Sequence, residues 1–252
     1  LTKRAYGWIR GHHDGRDRLF APRSRGILPD EVDLRAEMPA VYDQGQQGSC
    51  VANGCAALAQ HALTMAQLDV PSPPPSRAHI YYEARARRGW QATDSGSYVR
   101  DGLKVMAQEG VLAESEFPYD DSVFDRAPSD ALEDRALRMR IAPYAAITQS
   151  PPDIMRALAD GNPIVFGCTV YESFESDAVA AGEPVPMPGP LESPVGGHCM
   201  VIVGYDRLNA RVLVRNSWGS GWGLDGHCWM PFDYICNREL SADLFVAMGV
   251  LT

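Results

Sequence analysis

Gln44-Gly45-Gln46-Gln47-Gly48-Ser49-Cys50 runs without a break into Val51-Ala52-Asn53-Gly54-Cys55-Ala56-Ala57-Leu58-Ala59. Two glycines and a serine ahead of a small, apolar run read as a tight loop entering a helix, with Ser49 placed to act as N-cap. Cys50 then falls in the first helical turn. Unsatisfied backbone N–H groups and the positive end of the helix dipole favour an anion there, so a thiolate is stabilised. Taken alone, Cys50 reads more readily as a small buried residue packing a helix start, since buried cysteine is the commoner case. What separates the two readings lies elsewhere in the chain.

Gly196-Gly197-His198-Cys199-Met200-Val201-Ile202-Val203-Gly204-Tyr205-Asp206 carries a histidine leading into an apolar strand and a turn. Val212-Leu213-Val214-Arg215-Asn216-Ser217-Trp218-Gly219-Ser220-Gly221-Trp222-Gly223 is a second strand running into a Gly/Trp-rich loop. As hairpin neighbours, the asparagine oxygen can hold the imidazole in the tautomer that faces a sulfur. The order Cys, His, Asn, with Gln44 six residues before the cysteine and the tail Asn-Ser-Trp-Gly-x-Gly-Trp-Gly, resembles the papain-like cysteine peptidases, in their bacterial branch. Three separated motifs carry the resemblance, over residues 44 to 223.

The resemblance implies an α+β, two-lobe fold, with a helical lobe over about 38–138, an antiparallel barrel-like lobe over about 139–235, a C-terminal segment closing the two, and the cleft between them. It implies a cysteine endopeptidase working through a thiolate–imidazolium pair and a thioester acyl-enzyme. Cys50 is the expected nucleophile, His198 its proton partner, Asn216 the residue that orients His198, and Trp218 the shield of that hydrogen bond. The Gln44 amide and the Cys50 N–H would form the oxyanion hole. Gly96 and Ser97 stand where the family has two glycines that pair with an extended substrate backbone. Tyr98, Val99, Gly167, Gly196 and Gly197 are expected to line an apolar side-chain pocket nearby. An amidase or transpeptidase on the same fold, or a non-catalytic scaffold, are the competing readings, and the scaffold sits badly with an intact Cys, His, Asn and Gln.

A length of 252 residues holds one large domain or two lobes sharing a cleft. A net charge of −9 argues against a nucleic-acid surface, and no apolar run approaches membrane-spanning length. Neither cofactor nor metal is expected, and the chain is expected to act as a monomer on peptide or protein substrates. No signal-peptide pattern is present, which leaves a bacterial cytoplasmic site or export by an upstream segment. The family's disulfide position before the nucleophile holds Gln47, and the partner loop Thr93-Asp94-Ser95-Gly96 has no cysteine. Free thiols are therefore expected, with Cys228 and Cys236 the one pair that could still join.

Residues 1–27 are different in kind from the expected peptidase domain, 28–252. Lys3, Arg4, Arg10, Arg16, Arg18, Arg23 and Arg25 against Asp14 and Asp17 make this arm +5, leaving −14 for the remainder. His12-His13 reads as an exposed pair rather than a metal site. No Lys or Arg occurs between Arg156 and Arg207, so the acidic stretch leading to His198 has a charge opposite to the arm. The expectation is an intramolecular regulator lying over the cleft and held partly by charge, against the alternative of a disordered tail. Secondary structure is expected as helices over Cys50 to about Leu68, Arg77–Arg88, Val99–Gln108 and Ile154–Ala159. Strands are expected at Ile164–Val170, Met200–Gly204, Val212–Arg215 and His227–Met230, with a short one in Leu28–Arg35 near the catalytic helix. The proline-rich Glu183–Pro194 is expected as a long loop.

Overall fold

A helix in which small residues, chiefly Ala, Gly and Cys, make up most of the first two turns can be buried only if its neighbours come close to its backbone. That is what α1 (Cys50–Met65) does in the computed structural model, which describes residues 4–23, 26–66, 74–141 and 143–251. A Cβ on Gly54 would meet Val165 at 3.1 Å and Cys199 at 3.4 Å, so the helix lies directly on the sheet behind it. Its end at Met65 is short of the expected Leu68, and Leu68 and Pro71 to Pro73 lie outside the described residues.

The helical side continues with α2 (Arg77–Ala86), capped by Ser76 through the His79 N–H, and α3 (Val99–Lys104). A π turn over Val105–Glu109 prolongs α3, and Gly110 ends it at φ +86°, a conformation that glycine reaches without steric cost. The polar excursion that follows contains α4 (Asp130–Ala136).

The other side is one seven-stranded antiparallel sheet. Preceding it in the chain is β1 (Glu31–Asp33); β2 (Arg140–Ile141), β3 (Tyr144–Ala146), α5 (Pro151–Ala159), β4 (Ile164–Tyr171), α6 (Asp177–Ala180), β5 (Pro194–Asp206), β6 (Arg211–Arg215), β7 (His227–Pro231), α7 (Phe232–Cys236), β8 (Ser241–Ala247) and β9 (Val250–Leu251) follow. The sheet order is β3-β8-β4-β5-β6-β7, with β1 on the far end of β5 and a separate β2–β9 ribbon. The α+β two-lobe expectation is met. β1 pairs Glu31–Asp33 with Gly204–Asp206, and the short turn that follows it brings Glu37 to within 3.6 Å of His61 on α1. Two details differ from the sequence reading. β5 begins at Pro194, so His198 lies inside a strand, paired with Cys168. The C-terminal segment supplies β8, an interior strand between β3 and β4.

Residues 183–193 form the expected loop; Val185 anchors it by donating its N–H to Trp229 O at 2.9 Å. All six cysteines are free thiols, Cys228 and Cys236 included.

Candidate active site

α1 delivers Cys50 at its first turn, β5 delivers His198, and Asn216 follows directly on β6, the strand hydrogen-bonded to β5. His198 Nε2 and Asn216 Oδ1 are 2.7 Å apart, and both residues are buried. Asn216 Oδ1 also accepts the Ser217 N–H at 2.8 Å, which fixes the amide so that its oxygen faces the ring. His198 Nδ1 is left without a hydrogen-bond partner and is the nitrogen free to serve a thiol. Trp218 stacks on His198 with centroids 4.9 Å apart and 25° between planes, and Trp222 and Phe174 close in behind it. The His198–Asn216 bond is thereby walled off from water.

Gln44 is fully buried; its Oε1 accepts from Ser217 Oγ at 2.6 Å, which turns the amide N–H groups toward the nucleophile loop. Nε2 donates to Gln47 O at 2.9 Å and to Ala5 O at 3.1 Å. Ser49 occupies the N-cap position of α1 but makes no side-chain cap. Its hydroxyl is taken by Tyr119 at 2.5 Å and by Asn53 Nδ2 at 3.1 Å, so the expected cap is replaced by ties to the helix side.

The arm lies in the cleft. Ser97 N–H donates to Gly7 O at 2.8 Å, Ile9 N–H to Ser97 O at 3.1 Å, and Trp8 N–H to Gly197 O at 2.9 Å, with Trp8 and Ser97 in a parallel bridge. Glycines make the room. A Cβ would fall 1.9 Å from the Trp8 indole at Gly167, 2.2 Å from Gly7 O at Gly96, 2.3 Å from Trp8 O at Gly197 and 2.6 Å from the Tyr6 ring at Gly196. Tyr6 sits edge-on to His198 at 5.8 Å and donates its hydroxyl to Glu175 at 2.5 Å. The Trp8 indole N–H donates to Asp243 Oδ2 at 3.0 Å, as does the Gly11 N–H at 2.8 Å. Further on, Phe20 and Ala146 exchange backbone bonds with the sheet edge and the arm: Phe20 N–H to Ala146 O, and Ala146 N–H to Arg18 O.

This burial controls the charge state. Desolvation pushes the Cys50 thiol up to about 11, against the pull of the N–H groups of Cys199, Gly7, Val51 and Cys50 that face it. Desolvation also pushes His198 down to about 4, with the Asn216 bond opposing and Arg4 assisting. With the arm seated, burial therefore favours the neutral thiol and the neutral imidazole over the thiolate–imidazolium pair. The helix terminus alone does not outweigh the loss of water.

Of the expected binding residues, Gly96, Ser97, Gly167, Gly197 and Trp218 touch the arm or the histidine. Tyr98 and Val99 do not join them on any contact seen. Tyr98 packs on Trp90 at 6.0 Å with the Arg88 guanidinium 4.9 Å over its ring, and Val99 is fully buried in the core at the start of α3. The pocket around Trp8 is also not purely apolar, because Asp243 lies at its end. The run Tyr6-Gly7-Trp8-Ile9-Arg10 resembles the N-terminal segment of bacterial papain-like proteins, but the sequence does not point to Tyr6, Trp8, Glu175 or Asp243 as cleft contacts; the aromatic pair inside a polar arm is the available signal. Of the arm's charged residues, Arg16 pairs with Asp14 inside the arm, Asp17 pairs with Arg100 of α3 at 2.5 Å, Arg10 donates to the carbonyls of Arg238, Glu239 and Ser241, and the Arg23 N–H donates to Asp160 Oδ2 at 2.6 Å. His12 and His13 are exposed, and no metal-ligating cluster occurs among the described residues.

A family model described as papain family cysteine protease matches residues 28–244. An uncharacterized peptidase C1-like protein of Acanthamoeba polyphaga mimivirus is 33% identical, covering 98% of this chain and 88% of its own. Xylellain, a cysteine protease from Xylella fastidiosa, superposes with a TM-score of 0.92 at 36% identity, covering 99% of this chain and 97% of the other. A procathepsin B of Trypanosoma congolense shares the fold at a TM-score of 0.77 and 18% identity, covering 99% and 88%.

Proposed function

Because the chain belongs to the papain family of cysteine proteases, we propose that it is an endopeptidase whose cleft is kept closed by its own residues 4–11. One observation carries the reading. A peptide carbonyl, that of Ala5, already rests on the Gln44 amide, and a peptide N–H, that of Gly7, points at the Cys50 sulfur. The site is thus built to hold an extended peptide backbone against the nucleophile.

In a released cleft, Cys50 transfers its proton to His198 and attacks the scissile carbonyl. The developing oxyanion takes the Gln44 amide, now spent on Ala5 O, together with the Cys50 N–H; losing one such donor costs ~3 kcal/mol of transition-state stabilisation. His198 then protonates the leaving amine as the C–N bond breaks, leaving a thioester. Water, deprotonated by His198, attacks that thioester and returns the thiol. Asn216 contributes only orientation. Asn216→Ala is therefore expected to lower kcat by a smaller factor than His198→Ala, and equal losses measured by steady-state kinetics would remove the orienting role.

The pocket that holds Trp8 has a glycine wall and a carboxylate end, so it favours a long side chain with a donor at its tip, arginine or tryptophan, over leucine. Cleavage of a peptide library by a released form tests both points. Internal cuts with arginine or tryptophan at that subsite are expected. Asp243→Asn, which tolerates the φ of +58°, should reduce the arginine preference over leucine roughly tenfold. Acyl transfer to an added amine without hydrolysis would instead mark a transpeptidase.

A further inference from the structure

Tyr81 and Arg85 lie one turn apart on α2 and face the loop that leads to Ser97. Arg85 is wholly buried. Its guanidinium donates to Gln91 O at 3.0 Å, Thr93 O at 2.6 Å and Phe124 O, its Nε donates to Tyr81 O at 3.1 Å, and it lies 4.0 Å over the Tyr81 ring. Beyond that anchor the loop reaches Asp94. The Asp94 carboxylate accepts the Gly48 N–H at 3.0 and 3.1 Å and the Tyr81 hydroxyl, while the Tyr81 oxygen accepts the Gly96 N–H at 3.1 Å. Asp94 itself is exposed, but Gly48, Gly96 and Tyr81 are buried, so the bonds that converge on it come from groups without access to water.

One carboxylate therefore joins two loops that carry different parts of the reaction. Gly48 is two residues before Cys50 and four after Gln44. Gly96 precedes Ser97, whose N–H and C=O pair with a peptide backbone. No covalent bond links these loops, since every cysteine is free. We propose that Asp94, set by Tyr81, is a positioning residue: it fixes the distance between the Ser97 edge that grips a peptide and the Gln44–Cys50 loop at which its carbonyl reacts. The inference rests on the endopeptidase reading for its kinetic consequence and on the hydrogen bonds alone for its structural one. A peptide gripped at Ser97 but displaced by ~1 Å at the nucleophile can lose about 10²-fold in rate, because the reacting atoms leave the near-attack geometry.

The test uses the full chain carrying Trp8→Ala to open the cleft. Adding Asp94→Ala should lower kcat for a peptide by about 10- to 100-fold, with KM within roughly threefold, because grip at Ser97 survives and alignment does not. Alkylation of Cys50 by iodoacetamide, which makes no use of Ser97, should stay within about twofold. Amide exchange at Gly48 and Gly96 should quicken, and Asp94→Asn, which keeps an acceptor oxygen, should return kcat to within about threefold of the background. Unchanged exchange overturns the tie, faster exchange with unchanged kcat overturns the positioning role, and a parallel collapse of alkylation and kcat shows a structural role only. Should Asp94→Ala not fold, Tyr81→Phe makes the same comparison. It should quicken exchange at Gly96 and lower kcat, and no change in either overturns the proposal. A background that cleaves no peptide refutes the endopeptidase reading, while exchange at Gly48 and Gly96 still decides whether the tie exists.

Discussion

Trp8→Ala in the full chain is expected to raise the rate of peptide hydrolysis by roughly 100-fold. Trp8 is 8% exposed and packed into the pocket walled by Gly167, with its indole N–H on Asp243. Truncating a buried tryptophan costs about 3 kcal/mol or more, and here the cost falls on the arm-docked state alone. That is two factors of ten in the docking equilibrium. While the open form is the minor one, activity follows its population in proportion. The backbone bonds at Ser97 and Gly197 and the Tyr6–Glu175 bond remain, so the variant is loosened rather than stripped. Because the contacts in the cleft are mostly rings and backbone, the gain should change little with added salt, contrary to what the +5 arm suggested by composition. A rate equal to wild type, with folding verified by circular dichroism, would mean the arm is not a gate.

The second large effect is in the pH dependence of Cys50 alkylation. With the arm seated, the thiol is held up to about 11 and the imidazole down to about 4, so at pH 7 the thiolate is about 10⁻⁴ of the total. Because Cys50 is fully buried with the arm seated, the full chain should react only through its open minority, at about one hundredth of the Trp8→Ala rate near neutrality. The Trp8→Ala form readmits water and lets the ion pair form. A His-paired thiolate ordinarily persists down to pH ~3–4, so this form should show a plateau of fast alkylation from mildly acidic pH. Proton counting sets the sign for docking itself. Near neutrality the closed form (thiol, imidazole) and the open form (thiolate, imidazolium) bind equal numbers of protons, so the equilibrium is flat. On acidification the closed imidazole takes up a proton at about pH 4 and the open thiolate at ~3–4, so both forms gain the same proton over nearly the same range and acid does not favour opening. Above the open imidazolium's pKa the open form loses its proton while the closed thiol keeps its own, and opening is favoured. Latency should therefore hold from acidic to neutral pH and weaken as pH rises past the open imidazolium's pKa. A full-chain alkylation rate equal to that of Trp8→Ala near neutrality would contradict the closed, neutral pair.

Much of the site was legible because its key residues sit in segments with strong local signatures. The Gly-rich entry to α1 marked Cys50, alternation from strand to Gly/Trp-rich loop marked Asn216, and the apolar run after Gly196-Gly197 marked His198. What the sequence hid depends on tertiary partners. Ser49 has the right chemistry for a cap, but Tyr119 and Asn53 compete for its hydroxyl. β8 contains Asp243 and Ser241 within an otherwise apolar run, so its period is weak, and only pairing on both sides reveals it as interior. Tyr98 could be placed in the loop but not rotated, and its ring went to Trp90 and Arg88. The charge of the arm pointed to its docking; the contacts that dock it come from Tyr6 and Trp8, two rings in a stretch whose composition reads as solvated.

The measurement that bears most directly on the central claim is peptide hydrolysis by the double variant Trp8→Ala, Cys50→Ala, compared with Trp8→Ala alone. The account predicts that the single variant cleaves and the double variant does not, with circular dichroism unchanged between them, since only one sulfur at a helix start is removed. Hydrolysis by the double variant above a small fraction of the single variant's rate would contradict Cys50 as the nucleophile.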